Sequence, residues 1–163
     1  MSLLKIQKYG NPILRQKCEP VKKVNNEIRK LIDDMLETMY KNNGVGLAAP
    51  QVGVKKRIIV IDVGNGPLAL VNPKITKRKG EDILEEGCLS LPGILVKIKR
   101  ATKINIEGLN REGKRISIEA TYLAARALQH EIDHLNGILI IDKINFFKRQ
   151  KLKKKLEKIR QSL

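Results

Sequence analysis

The chain has 163 residues, 42% hydrophobic but only 3% aromatic and without Trp, so a globular domain with an Ile, Leu and Val core is expected and a disordered chain is excluded. A net charge of +16 favours polyanionic partners such as nucleic acid, the ribosome or an anionic membrane, although joint enrichment in Lys, Ile and Asn makes a plain solvated surface the competing reading. No apolar run reaches membrane-span length, and the first ten residues, with Lys5 and Lys8, lack the apolar stretch of a signal peptide, so a cytoplasmic protein is expected.

Val24, Ile28, Leu31, Ile32, Met35, Leu36 and Met39 recur at helical spacing. Asn25, Glu27, Lys30, Asp33 and Asp34 fill the other face, which predicts an amphipathic helix ending near Asn42-Asn43-Gly44. Its methionines read as core filler. Gly44-Val45-Gly46-Leu47-Ala48-Ala49-Pro50-Gln51 reads as a small-residue loop. Strands are predicted over 57–63, over 68–75 with an interruption at Asn72-Pro73, and over 83–86 running into Gly87-Cys88. Two more, over 94–100 and 102–109, alternate apolar and polar residues, and a hairpin turn over 110–113 precedes a strand over 114–118. From Thr121 the period changes: Leu123, Ala124, Ala127, Leu128, Ile132 and Leu135 lie at helical spacing, stopped by Asn136-Gly137. This helix is apolar around much of its circumference and should be buried. A short apolar segment over 138–141 follows, then a single Lys-rich helix over 147–163 with Leu152, Leu156 and Ile159 as its apolar stripe. The expected class is α+β in one domain over 1–163: mainly antiparallel sheets packed around the buried helix, with an amphipathic helix before them and a basic helix after.

Both histidines of the chain lie in His130-Glu131-Ile132-Asp133-His134. Residues four apart share a helix face, so the two imidazoles can converge on one ion, with Glu131 beside them in reach of a bound water. Left unpaired on an apolar helix, two His and a Glu would be costly to bury. A third ligand is still required. The protease pattern continuing from Gly137 asks for a third His at position 140, where Ile140 stands, and Glu157 lies in the Lys-rich helix. Cys88, in Glu86-Gly87-Cys88-Leu89-Ser90 just after a predicted strand, is the best remaining candidate; Cys18, between Lys17 and Glu19, reads better as an ordinary surface or half-buried thiol. A disulfide between the two is not expected in a reducing compartment.

Three segments together resemble the bacterial peptide deformylases: Gly44 to Gln51 as written above, Glu86-Gly87-Cys88-Leu89-Ser90, and Gln129-His130-Glu131-Ile132-Asp133-His134-Leu135. The resemblance spans nearly the whole chain. It implies that Cys88, His130 and His134 hold a metal with a fourth position for water, that Glu131 is the general acid/base, and that the Gln51 amide and the Leu89 backbone N–H stabilise the developing oxyanion. It implies that the substrate is the N-formyl-methionyl end of a nascent polypeptide, released as formate and a free amine. The residues suit that chemistry independently, because formyl amide hydrolysis needs a strong nucleophile, a proton returned to a poor leaving group, and donors at the oxyanion. Gly46, Val45, Leu84, Leu123 and Ala127 border the motifs and are candidates for the methionine pocket; Glu86, Arg100 and Asp133 are candidates for orienting the ligands. Cys and His donors suit zinc. The resemblance implies Fe2+ as the working metal in many members, with Zn2+, Ni2+ or Co2+ able to take the site.

Two departures from the family pattern stand out. Tyr122 occupies a position where many members have glycine, which would reshape the pocket rim, and the loop after the Cys motif reads Ile94-Leu95-Val96-Lys97 where some members carry a peptide-binding Arg, so Lys97 or Arg100 is expected to substitute. The cluster Lys148-Arg149-Gln150-Lys151-Leu152-Lys153-Lys154-Lys155 is expected to dock on ribosomal RNA. A monomer is expected. The rival readings are another His-Glu-x-x-His metallopeptidase, disfavoured by Ile140 and the Cys88 motif, and a ribosome- or RNA-binding protein with a structural metal, disfavoured by an intact Glu131.

Overall fold

The computed structural model describes residues 2–163. Helix α1 (Asn26–Lys41) starts where the Asn25 side chain accepts the Ile28 N–H, and it buries Ile28, Ile32, Met35 and Met39 along one stripe. Both Met residues are fully buried, as the spacing requires. The expected small-residue loop contains a short strand, β1 (Gly46–Ala48), followed by a 3-10 turn over Ala49–Val52. Strands β2 (Ile58–Ile61) and β3 (Leu68–Lys79) follow, then β4 (Asp82–Cys88), β5 (Leu91–Arg100), β6 (Lys103–Leu109) and β7 (Arg115–Thr121). They form a five-stranded antiparallel sheet in the order β1-β2-β3-β6-β7 and a separate β4-β5 hairpin.

Strand β2 explains the layering. Its four residues are all buried, which a two-residue period permits only if both sheet faces are covered. Ile58 and Val60 pack with α1, whereas Ile59 and Ile61 pack with Ala125, Leu128, Ile132 and Leu135 of α2 (Tyr122–Leu135). Each such Ile contributes about 1.5–3 kcal/mol by leaving water. The other side of α2 meets β4 and β5 through buried polar contacts, so Arg126, His130, Glu131 and His134 are all buried.

Several expectations are corrected. Strand β3 runs past Ile75 to Lys79, and the interruption expected at Asn72-Pro73 is a bulge where Asn72 takes φ 53° and its side chain bonds both N–H and C=O of Val21. The Lys-rich segment is not one helix but two, α3 (Phe146–Lys151) and α4 (Lys153–Gln161), broken at Leu152. The break turns Leu156 and Ile159 into a third apolar cluster with Leu91, Ile94, Val96 and Ile98 of β5, while the lysines face solvent. Cys18 is buried rather than superficial, packed in the core between the sheet and α2, and both cysteines are free thiols.

Helix α2 begins abruptly. The Tyr122 N–H donates to the Thr102 carbonyl at 2.7 Å, and Tyr122 itself takes φ 48°. A left-handed backbone costs an aromatic residue roughly 1–2 kcal/mol, unlike the asparagines that share it here, Asn43 and Asn72. At the other end Gly137 (φ 73°) ends the helix tightly against the backbone of Arg15, which lies 2.6 Å from where a Cβ would be.

Candidate active site

The two motif loops are laced together by the N-terminal segment: the Gln7 N–H donates to the Gln51 carbonyl at 2.7 Å and the Tyr9 N–H to the Ser90 carbonyl at 2.9 Å. Between the loops and α2 lies a cavity of about 430 Å³. Cys88, His130 and His134 meet at it, with one donor atom from each lying within 4.8 Å of the others. The Cys88 Sγ is 3.3 Å from His134 Nε2, and the two imidazole centroids are 5.1 Å apart. Cys18 is not part of this group.

Behind the group stands a buried ionic network. Glu86 on β4 places one carboxylate oxygen 2.9 Å from His130 Nδ1, so this nitrogen donates and Nε2 keeps its lone pair for a ligand. The same carboxylate accepts from Arg100 Nε and Nη2 at 2.9 and 3.0 Å and from Arg126 Nη1 at 2.6 Å. Arg100 also pairs with Asp133, and Arg126 with Asp82. Burial alone would raise the Glu86 carboxyl; the hydrogen bond to His130 and the Arg100 guanidinium override it and hold Glu86 well below the usual carboxylate range.

The front of the site is arranged the other way. Glu131 is buried with Oε1 lacking any hydrogen-bond partner, and burial pushes its carboxyl up to about 7. His134 Nδ1 is likewise unpartnered, and burial drives that imidazole well below its ordinary value. For His130, burial acts downward too, but the charge of Glu131 and the contacts with Cys88 and Glu86 carry it upward. Gly46 has no room for a side chain, since a Cβ there would strike the Glu131 carboxylate; β1 can pass this close only as glycine. The Gln51 Oε1 accepts the Ala48 N–H at 2.9 Å, which fixes the amide and turns Nε2 toward Ser90 Oγ (3.1 Å) and Cys88 Sγ (3.5 Å). A residue able to cap a backbone group with its oxygen therefore offers its N–H to the cavity.

Val45, Gly46, Leu89, Leu123 and Ala127 line the cavity with Gln51, Glu86, Cys88, His130 and Glu131. Leu84 does not. It is 45% exposed on β4, on the same strand face as Glu86 but two residues farther along the strand and outside the cavity lining. Arg100 is committed to Glu86 and Asp133 and is buried, so it is not free to meet a peptide; Lys97 points to solvent outside the cavity. Sequence reading missed Arg126 and Ser90. An arginine four residues before His130 on an otherwise apolar helix face was the available signal for the first. Nothing marked Ser90 beyond its place in the motif.

One thiol and two imidazoles thus converge at the cavity, Cys88 and His130 lining it and His134 Nε2 lying 3.3 Å from the Cys88 sulfur. Among the described residues no other group of three or more His, Cys, Asp or Glu is placed to hold a metal. Soft and borderline donors of this kind suit a transition metal or zinc, and the buried Glu131 Oε1 at the same cavity finds no partner among protein atoms.

The profile of the polypeptide deformylase family matches residues 3–150. The chain belongs to that family. A peptide deformylase of Thermodesulfovibrio yellowstonii is 52% identical over 162 residues, covering 96% of this chain and 98% of its own. One of Halothermothrix orenii is 56% identical over 146 residues, covering 88% and 95%. The crystal structure of the peptide deformylase of Ehrlichia chaffeensis in complex with actinonin superposes with a TM-score of 0.93 at 42% identity, covering 99% of this chain and 98% of that one. Deformylases are hydrolases, and this chain is an enzyme of the family with its α+β fold and antiparallel sheets. The metallopeptidase and RNA-binding readings find no support in these relatives. No helix among the described residues is long and apolar enough to cross a membrane.

Proposed function

We propose that the chain hydrolyses the formyl amide at the N-formyl-methionyl end of nascent polypeptides, using one divalent metal held by Cys88, His130 and His134. The observation that carries the reading is the convergence of these three donors in a cavity that also presents Gln51 and an unpartnered Glu131. A divalent ion held there supplies a water of lowered pKa and withdraws electrons from the formyl carbonyl. Glu131 Oε1 takes a proton from the attacking water and returns it to the departing amine, a role for which a carboxyl near neutrality is suited. Gln51 Nε2 and the Leu89 N–H donate to the formyl oxygen as charge develops on it; one such donor typically contributes about 3–4 kcal/mol. Leu123, Ala127, Val45 and Gly46 shape the space for the unbranched methionine side chain. Glu86, Arg100 and Asp133, joined by Arg126, orient His130.

Fe2+ is the proposed working metal, with Zn2+, Ni2+ or Co2+ as substitutes. A cytoplasmic monomer is proposed, with α3 and α4 docking on ribosomal RNA through exposed lysines, those of α4 turned outward by its buried Leu156 and Ile159. Anaerobically prepared enzyme loaded with Fe2+ is expected to release formate from formyl-Met-Ala-Ser and to leave the acetyl analogue intact. Turnover undiminished in Glu131→Ala or Cys88→Ala would overturn the assignment of these residues. Sedimentation with ribosomes, lost as salt rises, tests the docking.

A further inference from the structure

Away from the active site, the fold gathers positive charge around another hollow. A cavity of about 370 Å³ lies between the β3–β4 turn, the end of β5, α2 and a 3-10 turn over Ile140–Lys143, and no residue lines both it and the active-site cavity. That volume falls within the range of small-molecule sites, about 300–1,000 Å³. Its wall is apolar, made by Ile75, Ala101 and Ile132. The wall is also pinned: the Gln129 side chain donates to the Ala101 carbonyl at 2.9 Å and accepts the Ala101 N–H at 3.0 Å, which clasps the β5–β6 corner to α2.

Arg78, Lys79, Lys99 and Lys143 surround this wall, and the fold neutralises them poorly. Among the described residues Arg78 and Lys79 have no carboxylate partner, and the partners of Lys99 and Lys143, Glu81 and Asp133, stand at 4.0 and 3.7 Å. Asp133 is already paired with Arg100. The register of β3 and β6 sets Lys79 directly opposite Lys103, a like-charge pair that weakens a ladder. Cations from three separate stretches of chain thus converge at a cost in repulsion. A general richness in lysine spreads charge over a surface; it does not account for a pinned apolar wall ringed by it.

We propose that this hollow binds the pyrophosphate group of a small phosphorylated molecule, with Arg78, Lys79, Lys99 and Lys143 on the phosphates and the body of the ligand against Ile75, Ala101 and Ile132. With Arg100 counted, five cations face two carboxylates, Glu81 and Asp133. That excess matches the several charges of a pyrophosphate better than the single charge of one phosphodiester. Arg78 can meet phosphate oxygens with two N–H groups at once, while the lysines act as point charges. A cleft lined by one sign of charge also concentrates its counter-ion.

The test is calorimetric titration of the Zn2+-loaded protein with pyrophosphate, at about 0.15 M salt to screen long-range attraction. One-to-one binding is expected, weaker by about tenfold or more in the double variant Arg78→Gln/Lys79→Gln and by about threefold or more in Lys143→Gln, on the opposite wall. A control, Lys153→Gln/Lys154→Gln, removes the same charge from the exposed tail and is expected to change the affinity by less than about twofold. All the substituted side chains lie on the surface or at the mouth of the hollow, so the wild-type Tm should be kept, and Tm is measured on each variant. An affinity unchanged in the Arg78/Lys79 variant, which is the mark of pyrophosphate held at the metal, overturns the site. So does an equal loss in the tail control, or no saturable binding. A single-stranded RNA that depends on Arg78 and Lys79 where pyrophosphate does not assigns the hollow to a nucleic-acid backbone and overturns the proposal equally.

Discussion

The two sides of helix α2 around the candidate metal-binding group are built on opposite principles. On the back, Glu86 meets His130 and two arginines, each of which finds a further carboxylate. On the front, Glu131 Oε1 and His134 Nδ1 are buried with no partner at all. Buried polar groups are ordinarily satisfied. A saturated back fixes the orientation of His130, whereas Glu131 Oε1 at the front is left free for the proton transfer proposed above. The contrast teaches which buried charges serve the fold and which serve the reaction.

Substitutions on the two sides should separate these roles. The largest effect is expected at the front, where Glu131→Gln should lower kcat by about 10³-fold, within the range for loss of a general acid/base. In the metal-free protein the same change should not destabilise, because it replaces a desolvated carboxyl with a neutral amide; urea unfolding checks this. Glu86→Ala should do the reverse. It leaves Arg100 and Arg126 buried without their shared partner and should cost about 3–5 kcal/mol by urea unfolding, with metal affinity falling about 10- to 100-fold.

The pH dependence of the metal-free protein sharpens the same contrast. The folded Glu86 carboxyl lies below its unfolded value of about 4.3, so its contribution is complete above that pH and is lost as pH falls toward the folded value. Glu131 has the opposite sign. Raised to about 7 in the fold, its contribution is present below about pH 4 and is lost as pH rises through about 7. Glu86→Gln should therefore flatten the acid limb of the stability profile, and Glu131→Gln the limb between about pH 4 and 7. The smallest effect is expected at the rim: Tyr122→Gly should release the left-handed strain and stabilise by about 1 kcal/mol, raising Tm by roughly 2–4 °C in a scanning calorimeter.

How far these roles were legible depends on the range over which they act. His130, Glu131 and His134 sit within one helical turn and a half, so their spacing alone announced a metal group. Gly46 was marked only by its motif; the reason for it, the Glu131 carboxylate pressed against β1, is a contact across the fold. Leu84 bordered the right motif and shares a strand face with Glu86, yet it lies exposed beyond the end of the cavity, because how far a cavity reaches along a strand is set by what packs over it. Arg126 was hidden by its neighbours, an ion-pairing residue in a helix that otherwise reads as apolar, whose partners Asp82 and Glu86 lie some forty positions away.

The sequence by itself determined the helices α1 and α2, the strand-rich middle and the pair of candidate metal-ligating histidines, because each is written in a local period or spacing that backbone geometry reads directly. Elimination of the other candidates pointed to Cys88 as third ligand, and the resemblance carried by three motifs added Gln51. Only the tertiary structure decided that Glu86 is saturated while Glu131 is not, that the Gln51 oxygen is pinned so its N–H faces the cavity, and that the basic tail breaks at Leu152 to lay Leu156 and Ile159 on β5. Those outcomes depend on which groups meet after the chain has closed on itself, and desolvation and pairing act only between groups that have met.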